Sequence, residues 1–237
     1  AFIGCAKLAL GRARFPFSEM MVFVQDAGFN ALPIISLISV LFGVILAFVG
    51  AVQLKLFGAE LFVADLVGIG MARDMGAMMT GVIMAGRTGA AFAAQLGTMQ
   101  VNEEIDALTT FGISPMEYLV LPRMLALTMM MPLLCIYSDL MGILGGALIG
   151  IGLFDITPTQ YFLQTQKAVP LHHFASGLIK SLFYGVIVAL TGCLRGIQCG
   201  RSASAVGTAA TSAVVTAITW IVICCAILTF VFYVIGI

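Results

Sequence analysis

Long apolar stretches separated by short polar segments set the pattern of this sequence. Two stretches, 27–54 and 203–237, carry no charge at all, and three others carry few charges. Each is long enough for a helix to cross a hydrocarbon core of ~30 Å, whereas a membrane β-barrel would show alternating segments of ~10 residues. The pattern predicts five spans, which we place at 31–54, 61–98, 115–154, 171–194 and 203–237.

Composition agrees with a membrane location. Of the 237 residues 61% are hydrophobic and 9% are charged, the mean hydropathy is +1.12 and the net charge is zero. A soluble domain has about 25% charged residues, which this sequence does not approach. We therefore expect an all-α polytopic membrane protein. The balanced charge gives no reason to expect nucleic acid as a partner.

The distribution of basic residues predicts the number of spans and their orientation. Segment 115–154 contains Pro132 and could form one kinked helix or two short ones. Two helices would move Arg195 and Arg201 to the outside, against the excess of Lys and Arg in cytoplasmic loops. If the segment forms one helix, Lys55 and Lys167 are the only basic residues on the external side. We therefore predict five spans, a cytoplasmic N-terminus and an external helix at 158–169. The basic residues then on the cytoplasmic side are Lys7, Arg12, Arg14, Arg87, Arg123, Arg195 and Arg201.

Residues 1–30 mix basic and aromatic side chains, a composition typical of a helix lying in the headgroup region. This segment is predicted to be an amphipathic interfacial helix on the cytoplasmic side; a frayed cytosolic leader is the alternative. Because the sequence begins at Ala1 rather than Met, we expect that residues precede it.

A cluster of acids interrupts the apolar pattern between the second and third spans. Glu103, Glu104 and Asp106 lie within four positions, Asn102 can cap a helix there, and Gly112 can end it. Such a helix, 102–111, is only ~14 Å long and cannot cross a membrane. Its apolar residues Val101, Ile105 and Leu108 fall on one face. We predict a short helix along the cytoplasmic surface that docks a partner.

Among the charged residues of the predicted spans, Arg73, Asp74, Asp139 and Lys180 qualify as intramembrane charges. An intramembrane charge costs several kcal/mol and therefore marks either a function or an ion pair. These residues could line a cavity that receives a charged headgroup. Alternatively, Arg73 or Lys180 neutralises Asp74 or Asp139 between packed helices. Both interpretations remain open from the sequence.

Small residues recur every four positions along the second span, at Gly81, Ala85, Gly89, Ala93 and Gly97. This spacing places them on one ridge of a helix, where small side chains allow a second helix to come close. The ridge is therefore a predicted helix contact.

Patterns that would indicate an enzyme are missing from the sequence. It has no HExxH, GxSxG or Walker A motif, and none of its six cysteines forms a CxxC pair. His172 and His173 are adjacent, so on a helix they point about 100° apart and make a poor metal site. We expect no catalytic activity, no metal and no cofactor, and any energy from ATP must enter through another chain.

The stretch AGRTGAAFAAQLGTMQVNEEIDALTTFGISPMEYLVLPR resembles the signature region of the MlaE/YrbE permeases, the membrane subunits of ABC lipid transporters that work with Mce-domain proteins. The resemblance extends to Gly43 and Gln53 in the first span. It also covers Arg73-Asp74-Met75-Gly76, where the family often has Arg-Glu-Leu-Gly, and Leu178-Ile179-Lys180-Ser181.

The resemblance implies a homodimeric permease in the bacterial inner membrane. Two cytosolic ATPases would engage the short helix through Glu103, Glu104, Asp106 and Leu108. A periplasmic Mce-domain ring, similar to MlaD, would cover a lipid cavity at the dimer interface, and a small cytosolic subunit could join the complex. The lipid would be a phospholipid, a sterol or a related lipid.

The resemblance also implies the residues of the lipid cavity, namely Arg73, Asp74 and Lys180. Arg73 and Lys180 would meet the headgroup phosphate while Asp74 holds Arg73. An acidic residue in the last span of some members has no counterpart here, where Cys224 and Cys225 stand.

Two other functions fit the same residues. A self-sufficient secondary carrier or channel would use the intramembrane charges as an ion relay, but such carriers commonly show two related halves, and no internal repeat is evident. A membrane scaffold would recruit a cytosolic protein through the acidic helix.

Overall fold

The fold is described by a computed structural model that covers residues 17–154 and 156–235, with side chains from Met20 onwards. These residues form α-helices, short 3-10 turns and π-helical turns, and no strand. The predicted all-α fold is thereby confirmed. The helices are α1 (Phe17–Ala27), α2 (Leu32–Lys55), α3 (Val63–Gly70), α4 (Gly76–Met84), α5 (Ala90–Val101), α6 (Glu104–Thr110), α7 (Leu121–Leu153), α8 (Pro158–Ala168), α9 (Leu171–Ile197) and α10 (Ala203–Ile235).

Three π-helical turns continue neighbouring helices without breaking them. Met71–Met75 joins α3 to α4, Ala85–Gly89 joins α4 to α5, and Met116–Val120 leads into α7. A π turn holds one more residue than an α-helical turn, and such turns are frequent at functional sites. The first of them contains Arg73 and Asp74.

Five helical segments of the described chain are long and apolar enough to cross a membrane, which confirms the predicted number. The third is one continuous helix despite Pro132, as the charge distribution predicted. The segments are Met20–Lys55, Glu60–Val101, Met116–Leu153, Leu171–Ile197 and Ala203–Ile235.

The predicted interfacial helix at 1–30 falls partly outside the described residues. Within them, α1 is helical, and the first apolar segment already includes it from Met20. Met20 is buried, whereas Met21 and Val22 are about half exposed. A location of α1 in the headgroup region stays a prediction.

The chain forms two compact units. The first comprises Ala1–Ala31, which the structure describes from Phe17, with Gly81–Met131 and Leu182–Ile223. The second comprises Leu32–Thr80, Pro132–Ser181 and Cys224–Ile237, described as far as Ile235.

In the second unit, α2 and α7 come close enough for their backbones to touch. A Cβ added to Gly43 would overlap the carbonyl oxygen of Gly142, and one added to Gly145 would overlap that of Val40. The hydroxyl groups of Ser39 and Ser138 hydrogen-bond across the contact at 2.7 Å. Small residues thus bring the two helices together, and the serine pair satisfies polar atoms that no water reaches.

Replacing Gly43 with Ala is expected to destabilise the protein by about 1–3 kcal/mol, because the new methyl group meets backbone rather than a flexible side chain. The melting temperature of the purified protein in detergent measures this. The matched control is Gly152→Ala in α7, where a Cβ would meet no atom within 4 Å. Equal melting temperatures of the two variants would contradict the tight contact.

Helix α8 packs in the same unit, on α3. Tyr161 is fully buried and donates its hydroxyl to the carbonyl oxygen of Ile143 at 3.3 Å. Burial raises the pKa of Tyr161 to about 12, so the phenol remains a donor at any physiological pH. Gln164 donates to Asp65 at 2.9 Å. These contacts fix α8 against the second and third apolar segments.

In the first unit, the predicted small-residue ridge packs against α9. A Cβ on Gly192 would lie 2.7 Å from the carbonyl oxygen of Gly89, and one on Gly196 would lie 3.0 Å from that of Ala93. Ala85 and Ala93 are fully buried. The ridge is therefore a helix contact, as the spacing predicted.

Candidate functional site

The π turn Met71–Met75 presents its backbone and side chains to α9. Here the amide of Gly76 donates to the carbonyl oxygen of Met71, one residue farther back than in an α-helix. The Arg73 carbonyl oxygen accepts a hydrogen bond from Lys180 Nζ at 3.3 Å. Gly177 permits this approach, because a Cβ there would overlap the Ala72 carbonyl oxygen.

Lys180 is fully buried, and every N–H donor of its ammonium group has a hydrogen-bond acceptor within the protein. An ammonium group has three N–H bonds. Lys180 Nζ donates to the Asp74 carboxylate, to Thr229 Oγ1 at 2.9 Å and to the Arg73 carbonyl oxygen. Its Nζ also lies 5.6 Å from the ring centroid of Phe232. A ligand that approached Lys180 would have to displace one of these partners.

Asp74 completes a neutral cluster. Its Oδ1 accepts from Lys180 and, at 3.0 Å, from the hydroxyl of Thr229. The Asp74 side chain remains 25% exposed, while that of Lys180 is at 0%. Two opposite charges thus neutralise each other inside an apolar environment, where either alone would be costly. The alternative that Lys180 neutralises Asp74 is the one the structure supports.

A cavity of about 510 Å³ opens beside this cluster. That volume is within the usual range of small-molecule sites. Arg73 and Asp74 supply its charge, Thr229 supplies a hydroxyl group, and the rest of the wall is mostly apolar. The other lining residues are Met75, Met78, Cys225, Ala226, Phe230 and Tyr233.

Arg73 is the cationic side chain that this cavity presents to a ligand. Its side chain is half-buried, and no described residue forms an ion pair or hydrogen bond with its guanidinium. The prediction that Asp74 holds Arg73 was wrong, because the carboxylate is taken by Lys180 and Thr229. Arg73 therefore faces the cavity without an internal counter-ion among the described residues.

Asp139 occupies a different environment. It is 2% exposed, Cys135 Sγ contacts its Oδ2 at 3.9 Å, and its Oδ1 has no hydrogen-bond partner among the described residues. Gly76 makes room for it, because a Cβ there would overlap the carboxyl group. Asp139 is therefore separate from the Lys180 cluster and does not neutralise Arg73.

Sequence reasoning missed Thr229 and Gly177. Thr229 is one of several hydroxyl residues in an apolar span, and Gly177 is one of 26 glycines. Nothing in their spacing marks them. Their roles depend on which face of each helix turns toward the π turn, which the sequence does not reveal.

The short helix between the second and third apolar segments is α6, a seven-residue helix. The prediction of Asn102 as its N-cap was wrong. Glu103 holds that position in the left-handed conformation, with φ 61°, and the Asn102 side chain donates to Glu104 Oε1 at 3.2 Å. The sharp reversal after α5 needs a left-handed residue, which leaves Asn102 at the end of α5. Gly112, with φ 72°, follows the helix as predicted.

The acids of α6 are tied to the turn between α9 and α10. Arg201 Nη2 lies 3.0 Å from Asp106 Oδ2, and Arg201 Nη1 lies 3.6 Å from Glu103 Oε1. All three side chains are at least 49% exposed, so these pairs add little stability. Ile105 is buried and Leu108 is half-buried, which confirms the predicted apolar face.

An exposed apolar tip follows α6. Phe111 is 80% exposed and Ile113 is 40% exposed. A groove of about 370 Å³ lies next to them, lined by Gly112, Ile113, Ser114, Glu117 and Tyr118. Exposed aromatic side chains such as Phe111 are enriched at protein-docking surfaces.

The sequence is similar to known permeases over most of its length. The family model described as Permease MlaE matches residues 20–231. A probable ABC transporter permease protein of Rickettsia prowazekii is 38% identical over 188 residues, which are 79% of this chain and 73% of the relative. The intermembrane phospholipid transport system permease protein MlaE of Haemophilus influenzae is 30% identical over 207 residues, 87% of this chain and 78% of the relative.

A plant protein is also similar. The chloroplastic protein TRIGALACTOSYLDIACYLGLYCEROL 1 of Arabidopsis thaliana is 31% identical over 166 residues, 70% of this chain and 47% of the relative. These matches confirm the resemblance seen in the sequence. The chain belongs to the MlaE permease family and is a non-catalytic transmembrane subunit of an ABC transporter, whose ATPase is a separate chain.

Proposed function

We propose that this permease moves phospholipid, or a related lipid with a phosphate headgroup, between the bacterial inner membrane and a periplasmic Mce-domain partner. The observation that carries this proposal is Arg73, a cation without an internal partner among the described residues, facing a largely apolar cavity. A guanidinium forms two parallel hydrogen bonds to a phosphate, and the apolar wall suits the rest of a lipid. The name of the Haemophilus influenzae relative, a phospholipid transport permease, agrees with this substrate class.

The three predicted cavity residues take different roles in this proposal. Arg73 binds the headgroup phosphate. Lys180 is a positioning residue, because its three donors hold the Asp74 carboxylate, Thr229 and the π turn that carries Arg73. Direct contact between Lys180 and a headgroup stays a prediction, and it would require the Asp74 or Thr229 bond to open.

Helix α6 is the proposed docking element for the ATPase, through Glu103, Glu104, Asp106 and Leu108. Its exposure, its position between two left-handed residues and the neighbouring Phe111 support this role. Arg201 links α6 to the turn before α10, so a push on α6 would pass to the start of the last span. In this arrangement α6 and the N-terminus lie on the cytoplasmic side, and a second copy of the chain, an MlaD-like ring and a small accessory subunit complete the complex.

ATP-dependent lipid transfer tests the proposed function. The permease is reconstituted in vesicles with its ATPase and the Mce-domain partner, and the transfer of labelled phospholipid is followed with and without ATP. Transfer should require ATP, both partners and Arg73. Equal transfer without ATP or partners would favour a secondary carrier, and a complex that assembles but transfers no lipid would favour a scaffold.

Replacing Asp106 with Lys is expected to weaken ATPase association by at least ~2 kcal/mol, or roughly 30-fold, because the charge is reversed beside Arg201 on the docking surface. Co-purification with the ATPase measures this. Phe111→Ser should weaken association without a charge change, while Glu60→Lys, an acid outside α6, serves as the control. Undiminished co-purification of the Asp106 and Phe111 variants would refute the docking role.

A further inference from the structure

Arg195 is a cation that the proposed lipid cavity does not use. It lies in the last turn of α9, a helix of 27 residues. At 1.5 Å per residue this helix is about 40 Å long, longer than a hydrocarbon core of ~30 Å. Its last turn therefore falls near the level of the lipid headgroups, where phosphate groups are concentrated.

The guanidinium of Arg195 forms few hydrogen bonds with the rest of the protein. Its Nη2 donates to Thr216 Oγ1 at 3.2 Å, while its Nε is buried without a hydrogen-bond partner. No carboxylate among the described side chains, those of residues 20–154 and 156–235, forms an ion pair with it. A guanidinium has five N–H donors, and the two on Nη1 and the second on Nη2 have no partner among the described residues.

Two open cavities meet at this side chain. They measure about 610 and 330 Å³, and both are lined by Arg195, Thr208 and Ser212. The Ser212 hydroxyl group has no hydrogen-bond partner in the described structure, whereas Thr208 donates to the carbonyl oxygen of Ala205. No acidic residue lines either cavity.

An apolar surface continues from these cavities along α10. This helix has 33 residues and no charged side chain. Val215 is 60% exposed and Val222, seven residues farther along and on the same face, is 52% exposed. A cation with free donors next to an apolar helix face matches an amphiphile with an anionic head and hydrocarbon tails better than it matches a free ion.

We propose that Arg195, with Ser212 and Thr216, binds the phosphate of a membrane phospholipid at a second site, formed by residues other than those of the Arg73 cavity. The proposal rests on the proposed function of the chain as a lipid permease. Arg195 forms charge-assisted hydrogen bonds to the phosphate oxygens, Ser212 donates a further bond, and Thr216 holds the guanidinium in place. The acyl chains lie along the exposed face of α10.

Native mass spectrometry of the purified chain in a maltoside detergent, which has no phosphate, tests this site. Phosphatidylglycerol and diacylglycerol are added in parallel, in both the wild-type chain and an Arg73→Gln background that removes the first proposed site. Replacing Arg195 with Gln should weaken phosphatidylglycerol binding about tenfold in the Arg73→Gln background, remove the second of two bound lipids from the wild-type chain, and leave diacylglycerol binding unchanged. Arg195→Lys should retain most of the binding, because it keeps the charge.

Matched controls and a milder variant keep the result interpretable. Lys167→Gln removes an exposed lysine from α8 and should not change lipid binding. Should Arg195→Gln fail to fold, as judged by its melting temperature, Ser212→Ala provides the test with an expected loss of a few-fold. Loss of binding in Arg195→Gln with an unchanged melting temperature supports the site.

Four outcomes would overturn this site. They are unchanged phosphatidylglycerol binding by the variant, an equal loss of diacylglycerol, displacement of the lipid by equimolar inorganic phosphate, and a change of oligomeric state without a change in lipid binding. The proposed function is judged separately, by ATP-dependent transfer in the Arg73 variant. Failure of one proposal therefore leaves the other measurable.

Discussion

Replacing Lys180 with Met should cost about 3–5 kcal/mol of stability, because it leaves the Asp74 carboxylate without its counter-ion in a largely apolar environment. The change also removes the donors that hold Thr229 and the Arg73 carbonyl oxygen. Met fills a similar volume, so the loss comes from the charge and the hydrogen bonds rather than from an empty space. The π turn that carries Arg73 should lose its fixed position.

The melting temperature and the denaturation midpoint of the purified protein measure this loss. The double variant Lys180→Met with Asp74→Asn should recover much of it, since no unpaired charge then remains, and the difference from the single variants gives the coupling of the pair. Lys167→Met on α8, where the lysine is exposed, is the matched control. A Lys180→Met variant as stable as this control would contradict a structural ion pair.

Replacing Arg73 with Gln should reduce ATP-dependent lipid transfer by roughly 10–100-fold, the effect of losing one charged hydrogen-bond donor to a phosphate. Its stability should change little, because no described residue pairs with the guanidinium and the backbone carbonyl that binds Lys180 is kept. Loss of transfer without loss of stability is the result that identifies a ligand-binding side chain.

Initial rates of labelled-lipid transfer in reconstituted vesicles measure the effect of the Arg73 change. Arg73→Lys should be intermediate, because it keeps the charge but not the planar pair of donors. Lys167→Gln controls for the removal of one positive charge. If Arg73→Gln transfers lipid at the wild-type rate, the cavity beside the Lys180 cluster is not the headgroup site.

The two substitutions together separate positioning from binding. Lys180 is fully buried with all its donors engaged, so its loss should lower stability and transfer together. Arg73 is half-buried and unpaired among the described residues, so its loss should lower transfer alone. The same effects from both variants would mean that the headgroup contacts the cluster as a whole.

The sequence determined the number of helices long and apolar enough to cross a membrane. Bilayer thickness requires long apolar segments, and such segments are visible without tertiary contacts. The order of residue types along the chain likewise identified the short helix and the glycine that ends it. A helix commonly ends at a residue in the left-handed conformation, which glycine adopts readily, as Gly112 does. The cap at Glu103 was missed, because a left-handed glutamate has no sequence signal and is imposed by the turn after α5.

Which charges meet was decided by the tertiary structure alone. Successive residues on a helix project about 100° apart, so Arg73 and Asp74 point in different directions. The π turn and the close helix contact at Gly177 orient Asp74 toward Lys180. The Arg73 side chain lines the cavity instead. The sequence records that Arg73, Asp74 and Lys180 lie in apolar spans, but the rotation of each helix depends on side chains packed from distant parts of the chain.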